Sequence, residues 1–339
     1  MPLPAFELHR PRSLDEAAAC LAAMPSARLL AGGTDLIPAM QQGLCAPSQV
    51  VDLTSARDLA GLDFFPDGGA RLGAGVRLSA LEFHPELARR FPLLAQAAAA
   101  VASPLQRALG TLGGNLCLDT RCRWYNQSWS WRRACGFCLK KDGARCHVAP
   151  GGERCWAAYS GDLAPALLAM GADLELAAPG GVRRRLPLPA FFTGDGARPF
   201  QLQPGELVAA AWLPGSSAGW RGAYRKFRVR ASIDYPLAGL ALALDLEGPR
   251  IRRGRAALTA VNPSPRLVAG AETLLAGADP RDPQLADALA RLVRQTAKPL
   301  STSSFSPAYR RDILALYARR ALLDLSAPGC SFNAGICNS

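Results

Sequence analysis

The chain has 339 residues, of which 49% are hydrophobic and 19% charged, with a net charge of +12. That length supports about two domains, and the balance excludes a disordered chain. The longest mild apolar run, Phe91 to Gln106, is too short and too rich in alanine to span a bilayer.

The first twelve residues carry Glu7, His9, Arg10 and Arg12, where a signal peptide needs an apolar stretch. A cytoplasmic location is therefore expected. The positive charge is dispersed rather than gathered into one stripe, which argues against a nucleic-acid partner. A basic face still suits an acidic partner protein. No internal repeat is present.

The N-terminal region reads as strand, helix, loop, strand. Leu14 to Met24 has helical spacing, with Ser13 as cap and Glu16 three residues further on. Ala27–Leu30 predicts a strand leading into Ala31-Gly32-Gly33-Thr34-Asp35-Leu36, and Gln49–Leu53 a second. Ala70–Val76 alternates as a strand should. Helices follow over Leu78–Glu82 and Pro92–Ala102. Then comes a second glycine-rich element, Gly110-Thr111-Leu112-Gly113-Gly114-Asn115-Leu116, read as a turn.

Beyond it the pattern breaks down. Six of the ten cysteines (Cys117, Cys122, Cys135, Cys138, Cys146 and Cys155) fall between 117 and 155, among four of the six tryptophans. This stretch predicts an irregular loop organised by something other than an apolar core. Periodicity resumes with a helix over Asp162–Met170 and strands over Asp173–Ala177 and Arg183–Leu188. Leu213-Pro214-Gly215-Ser216-Ser217 breaks the composition and predicts a domain boundary. Three antiparallel strands are expected at Gly222–Arg228, Ala238–Leu246 and Arg255–Val261. Two amphipathic helices, Pro280–Val293 and Pro307–Leu323, follow, the second capped by Ser306. The tail after residue 325 has no period and is expected to be loose.

Both glycine elements offer backbone N–H groups to an anion, and glycine lets phosphate approach the main chain closely. Two such turns suit the two phosphates of a dinucleotide. Neither follows the GxGxxG order, so a Rossmann-type nicotinamide site is disfavoured. For the cysteines, clustering in a cytoplasmic chain favours metal or cluster ligation over disulfides. The spacing Cys122-x15-Cys138-x7-Cys146-x8-Cys155 supplies four thiolates. They suit either a structural zinc or a [4Fe–4S] cluster. The short Cys135-x2-Cys138 pair tilts the spacing alone toward zinc. His147 is expected to be a hydrogen-bonding neighbour rather than a ligand. There is no Ser-His-Asp or metal-hydrolase signature, and no catalytic residue is assigned.

The two glycine elements resemble the FAD-pyrophosphate loops in the flavin subunits of xanthine-oxidase-type molybdenum hydroxylases. Gly161-Asp162-Leu163-Ala164-Pro165-Ala166 is similar to the element that follows them there. Tyr224-Arg225-Lys226 with Asp234-Tyr235-Pro236-Leu237-Ala238 resembles the strand pair bordering the flavin ring. The likeness runs over about residues 4 to 325. It implies an α+β fold: a two-part FAD-binding domain of the vanillyl-alcohol-oxidase/CO-dehydrogenase flavoprotein type, then a smaller C-terminal domain. The latter would hold the three-stranded sheet and the helices. The boundaries expected are about 1–214 (subdomains about 1–55 and 56–214), 215–325 and a tail of 326–339, with an inserted loop at about 118–158. Implied FAD contacts are Leu29, Ala31, Gly32, Gly33, Thr34, Asp35 and Leu36, then Gly110, Thr111, Gly113, Gly114 and Asn115, with Asp162 and Lys226 beyond.

An insertion of this size and place resembles one subgroup, the β subunits of 4-hydroxybenzoyl-CoA reductases. That likeness implies a [4Fe–4S] cluster on Cys122, Cys138, Cys146 and Cys155, with Cys135 departing from the pattern. It also implies partners: a molybdenum-cofactor large subunit, a [2Fe–2S] small subunit and a ferredoxin-like electron donor. In that subgroup electrons enter from ferredoxin and end by removing the phenolic hydroxyl of 4-hydroxybenzoyl-CoA. The rival of another class is a zinc-held four-cysteine module binding nucleic acid or protein.

Overall fold

The computed structural model describes residues 3–327. The expected loose tail lies almost wholly outside them, as do Cys330 and Cys337.

A small parallel sheet opens the chain, with Gln49–Asp52 between Glu7–His9 and Arg28–Leu30. Its crossover helix, Leu14–Ala23, starts where predicted because the Ser13 side chain accepts the Glu16 N–H. Such a cap is worth about 1 kcal/mol. The helix Leu36–Gln41 follows the first glycine element directly.

Five antiparallel strands form the second sheet, in the order Leu62–Phe64, Ala70–Gly73, Leu207–Leu213, Asp173–Ala177, Arg183–Pro187. Its central strand, Leu207–Leu213, was not predicted. Six of its seven residues are buried, so it reads as a continuous Leu-Val-Ala-Ala-Ala run without alternation. The helical stretch before the second glycine element also breaks differently. Pro85–Arg90 is a separate helix with His84 as cap, and Pro92–Ala99 stops short of Ala102, whose φ is positive.

The third sheet is antiparallel, in the order Arg266–Leu267, Arg250–Thr259, Ala238–Glu247, Arg221–Phe227. It has four strands rather than the expected three. The extra strand is two residues long, too short for any alternating pattern to announce it. Helix Pro307–Ser326, capped by the Ser306 side chain, packs against this sheet, and Pro283–Thr296 packs against that helix within the same core.

The strand Ala238–Glu247 joins the two halves. Leu240, Leu242 and Leu244 enter the C-terminal core, while Ala241 and Ala243 enter the larger N-terminal one. Each buried leucine contributes roughly 2 kcal/mol, and the small alanines let the neighbouring core approach closely. Among the described residues no helix is long and apolar enough to cross a membrane.

Candidate functional site

The fold brings the two glycine elements into contact, although about 80 residues separate them. A Cβ on Gly32 would lie 2.1 Å from the Leu109 carbonyl oxygen, so only glycine allows the loops to touch. Gly33 has φ +72°, the left-handed region that other residues adopt at a cost. Among the described residues no protein acceptor meets the N–H groups of Gly32, Gly33, Thr34 and Asp35. That set of open donors suits an anion.

The second element differs from its expected form. Leu112–Leu116 is a short helix rather than a turn, and the Thr111 hydroxyl accepts the Gly114 N–H at 3.1 Å. Gly113 donates to the Ala74 carbonyl at 2.8 Å. Asn115 faces inward, its side-chain oxygen accepting the Leu163 N–H at 3.0 Å. Open donors thus come mainly from the first element, and the second supplies the wall behind it. Leu29 is part-buried against the large core, and Leu36 begins the helix that follows.

Asp162 and Lys226, 64 positions apart, meet at 3.0 Å with side chains only 3% and 5% exposed. The Tyr224 hydroxyl donates to the other Asp162 oxygen at 2.6 Å, and Lys226 also donates to the Ala100 carbonyl at 2.9 Å. Burial raises the Asp162 carboxyl above its ordinary value, and the lysine and tyrosine oppose that rise. Burial lowers the Lys226 ammonium, and Asp162 opposes it. This cluster ties the helix Leu163–Ala169 to the strand Arg221–Phe227.

Cys122, Cys138, Cys146 and Cys155 are all buried and line one small space. Cys135 does not line it; it caps the C-terminus of a helix, Trp129–Ala134. That helix is itself a departure from the irregular loop expected, six residues long and started by the Ser128 side chain. The described cysteines are free thiols. Among the described residues no three His, Cys, Asp or Glu side chains are grouped to hold a metal ion. A single zinc draws four thiolates to one point at about 2.3 Å. Four thiols lining one space suit a group that takes four thiolates, a structural zinc or an iron–sulfur cluster.

Burial pushes the Cys155 thiol up to about 12 and also raises Cys122. Backbone N–H groups of Trp124 and Tyr125 at Cys122, and of Ala157 at Cys155, oppose this and favour thiolates. His147 bonds the Phe137 carbonyl through Nε2 and stacks on Trp124 at 4.5 Å. Several of the loop's cations are engaged. Arg121 pairs with Asp35, Arg132 with Asp142 and Lys140 with Asp119.

The cysteine loop rests on the first glycine element. Its ends are joined by paired 2.8 Å bonds between Arg121 and Ala158. Ala39 and Leu44, on and just after the helix Leu36–Gln41, share a small core with Cys122, Tyr125, Cys155 and Ala157. Asp35 accepts from both Arg121 and the Tyr235 hydroxyl. Sequence reasoning missed Ala39 and Leu44, since one apolar side chain among many carries no sign of its partner.

Residues 4–216 match the family described as FAD binding domain in molybdopterin dehydrogenase, and 222–325 the CO dehydrogenase flavoprotein C-terminal domain. The aldehyde oxidoreductase FAD-binding subunit PaoB of Escherichia coli is 32% identical over 279 residues, covering 80% of this chain and 86% of that one. The nicotine 6-hydroxylase medium subunit of Paenarthrobacter nicotinovorans is 27% identical, with 96% and 99% covered. A solved Cu,Mo-CO dehydrogenase chain superposes with a TM-score of 0.78 at 26% identity, covering 96% of this chain and 99% of that one.

Proposed function

The chain belongs to the FAD-binding subunits of molybdenum hydroxylases, and on that premise we propose a second redox group, a [4Fe–4S] cluster in the four-cysteine cavity. The chain is an oxidoreductase subunit, which displaces the zinc-held nucleic-acid module as a reading of the whole.

We assign it to a cytoplasmic complex of the 4-hydroxybenzoyl-CoA reductase kind. Its partners there are a molybdenum-cofactor large subunit, a [2Fe–2S] small subunit and a low-potential ferredoxin-like donor. Substrate chemistry lies in the large subunit. When bound, FAD supplies exchange of one or two electrons and the cluster exchange of one. This chain's own residues hold and shield these groups. The open N–H groups of Gly32 to Asp35 receive pyrophosphate, Asp162 and Lys226 set the strand Arg221–Phe227 beside it, and the four cysteines ligate the cluster. Trp124 and His147 keep water from the cavity wall.

The observation that carries this reading is the four buried sulfurs around one space, against the helix that follows the first glycine loop. The direct test is whether the anaerobic complex, given reduced ferredoxin, converts 4-hydroxybenzoyl-CoA to benzoyl-CoA. Likeness to the nicotine 6-hydroxylase subunit favours a second reading, hydroxylation of an aromatic or N-heterocyclic substrate. Absence of benzoyl-CoA from an iron-replete complex would select it.

FAD retention has its own test. Gly33→Val forces a β-branched residue to positive φ, a strain of about 1–2 kcal/mol, and sets methyl groups beside the phosphate donors. FAD affinity is expected to fall at least tenfold, about 1.4 kcal/mol, read by flavin content after dialysis. Gly136→Ala, also at positive φ but with no heavy atom within 4 Å of the added Cβ, controls for the backbone effect. Full flavin content in the Gly33 variant removes that loop from the site.

A further inference from the structure

Among the described residues that line the four-cysteine space, Lys140 is the single lysine, arginine or carboxylate. Its side chain is only 6% exposed. The ammonium has three acceptors for its three donors: Asp119 Oδ1 at 2.8 Å, the Thr120 hydroxyl at 2.6 Å and the Gly196 carbonyl at 2.8 Å. It also lies over the Tyr125 ring at 4.9 Å. Lys141, next in the chain, turns instead to the Leu44 carbonyl and does not line the space.

Burying an ammonium is costly, and a wall that needed only packing would take an apolar side chain. The segment that anchors this one also grips a cysteine. Gly196 donates to the Cys155 carbonyl at 2.8 Å, and the Asp195 side chain accepts the Cys155 N–H at 3.1 Å. The charge is thereby fixed relative to Cys155, and it opposes the rise that burial imposes on that thiol. Asp119 does not cancel it. The carboxylate is 39% exposed and stands outside the lining, so water screens it more than the enclosed ammonium.

We propose that Lys140 is the resident counter-cation of the four-cysteine site and sets the reduction potential of the group held there, a proposal that rests on the [4Fe–4S] reading above. Four thiolates make the oxidised cluster an anion, and an added electron deepens that charge. A fixed cation therefore stabilises the reduced form more than the oxidised one, and an enclosed site weakens the effect little. The number of nearby cations is not what matters. Arg145 and Arg154 are each next to one of the four cysteines in sequence, yet both are exposed, where water and salt screen them.

The test is a dye-mediated redox titration of the whole anaerobically purified complex. The [4Fe–4S] signal is followed by electron paramagnetic resonance and separated from [2Fe–2S] signals by its faster relaxation. Lys140→Met is expected to lower the reduced-to-oxidised ratio at a fixed poise by about tenfold or more, about 59 mV for one electron. Asp119→Asn keeps an acceptor for the lysine but removes the opposing charge, so the ratio is expected to rise, by a smaller factor. Arg145→Gln is expected to change it by less than about twofold. Loss of packing would not move the two partners of one ion pair in opposite directions. A Lys140→Met potential equal to wild type overturns the proposal and leaves the cluster standing, as does an equal fall in Arg145→Gln. If Lys140→Met is purified without iron, Asp119→Asn decides: a raised potential supports the assignment, and an unchanged or lowered one overturns it. A wild-type complex that holds zinc and gives no [4Fe–4S] signal overturns the cluster reading, and the role of Lys140 with it.

Discussion

Serine at Cys122, Cys138, Cys146 or Cys155 is expected to cut iron and acid-labile sulfide to below about a tenth of wild type, whereas Cys135→Ser keeps both. The four face one space, and Cys135 sits outside it at a helix end. The backbone fixes three of the positions independently. Tyr125 and Asn126 donate to the Cys122 carbonyl, Lys141 and Gly143 to that of Cys138, and Cys155 itself donates to Asp195. Serine keeps these bonds and loses only the sulfur. Folding should survive, and flavin content should stay near wild type, because the glycine loops contribute no ligand. Iron retained in Cys138→Ser but lost in Cys135→Ser reverses the assignment. Four equal losses of one zinc, in a protein without visible iron–sulfur absorption, replace the cluster with a structural ion.

Lys226→Met is expected to destabilise the protein by about 3–5 kcal/mol at neutral pH, because it strands a buried carboxylate. Asp162 is almost fully enclosed, and the Tyr224 hydroxyl is then its remaining side-chain donor. The pH dependence has a definite sign. Burial raises the Asp162 carboxyl, so stability from this group is full below its unfolded value and is lost as pH rises through the raised one. Removing the lysine raises it further. The gap between variant and wild type should therefore narrow as pH falls toward about 4, where the unfolded carboxyl also takes a proton. Asp162→Asn combined with Lys226→Met leaves no buried charge and should recover at least half the loss. Denaturant midpoints across pH give the answer. A Lys226→Met penalty that is flat with pH would mean packing, not charge, is at stake.

Local structure was legible wherever local chemistry decides it. Ser13 and Ser306 start helices because their side chains accept N–H groups three residues on, a relation contained in a few residues. The glycine elements were recognisable by composition, and the cysteine set by spacing. The failures have a common physical form. Leu207–Leu213 is buried in mid-sheet, which erases the alternation that marks a strand. The pair of residues Arg266–Leu267 has no pattern to read. Trp129–Ala134 is helical with its apolar side chains outward, against the rule that apolar periodicity marks the buried face.

The sequence by itself determined which side chains can serve: glycines that allow a close or left-handed backbone, thiols with the chemistry of ligands, a lysine and an aspartate that pair. It did not determine their company. The Gly32 contact with Leu109, the meeting of Asp162 with Lys226, and the gathering of Cys122 and Cys155 around one space are products of chain crossings tens of residues long. Spacing along a chain limits how far two groups can be apart, and only packing decides which of them end up together.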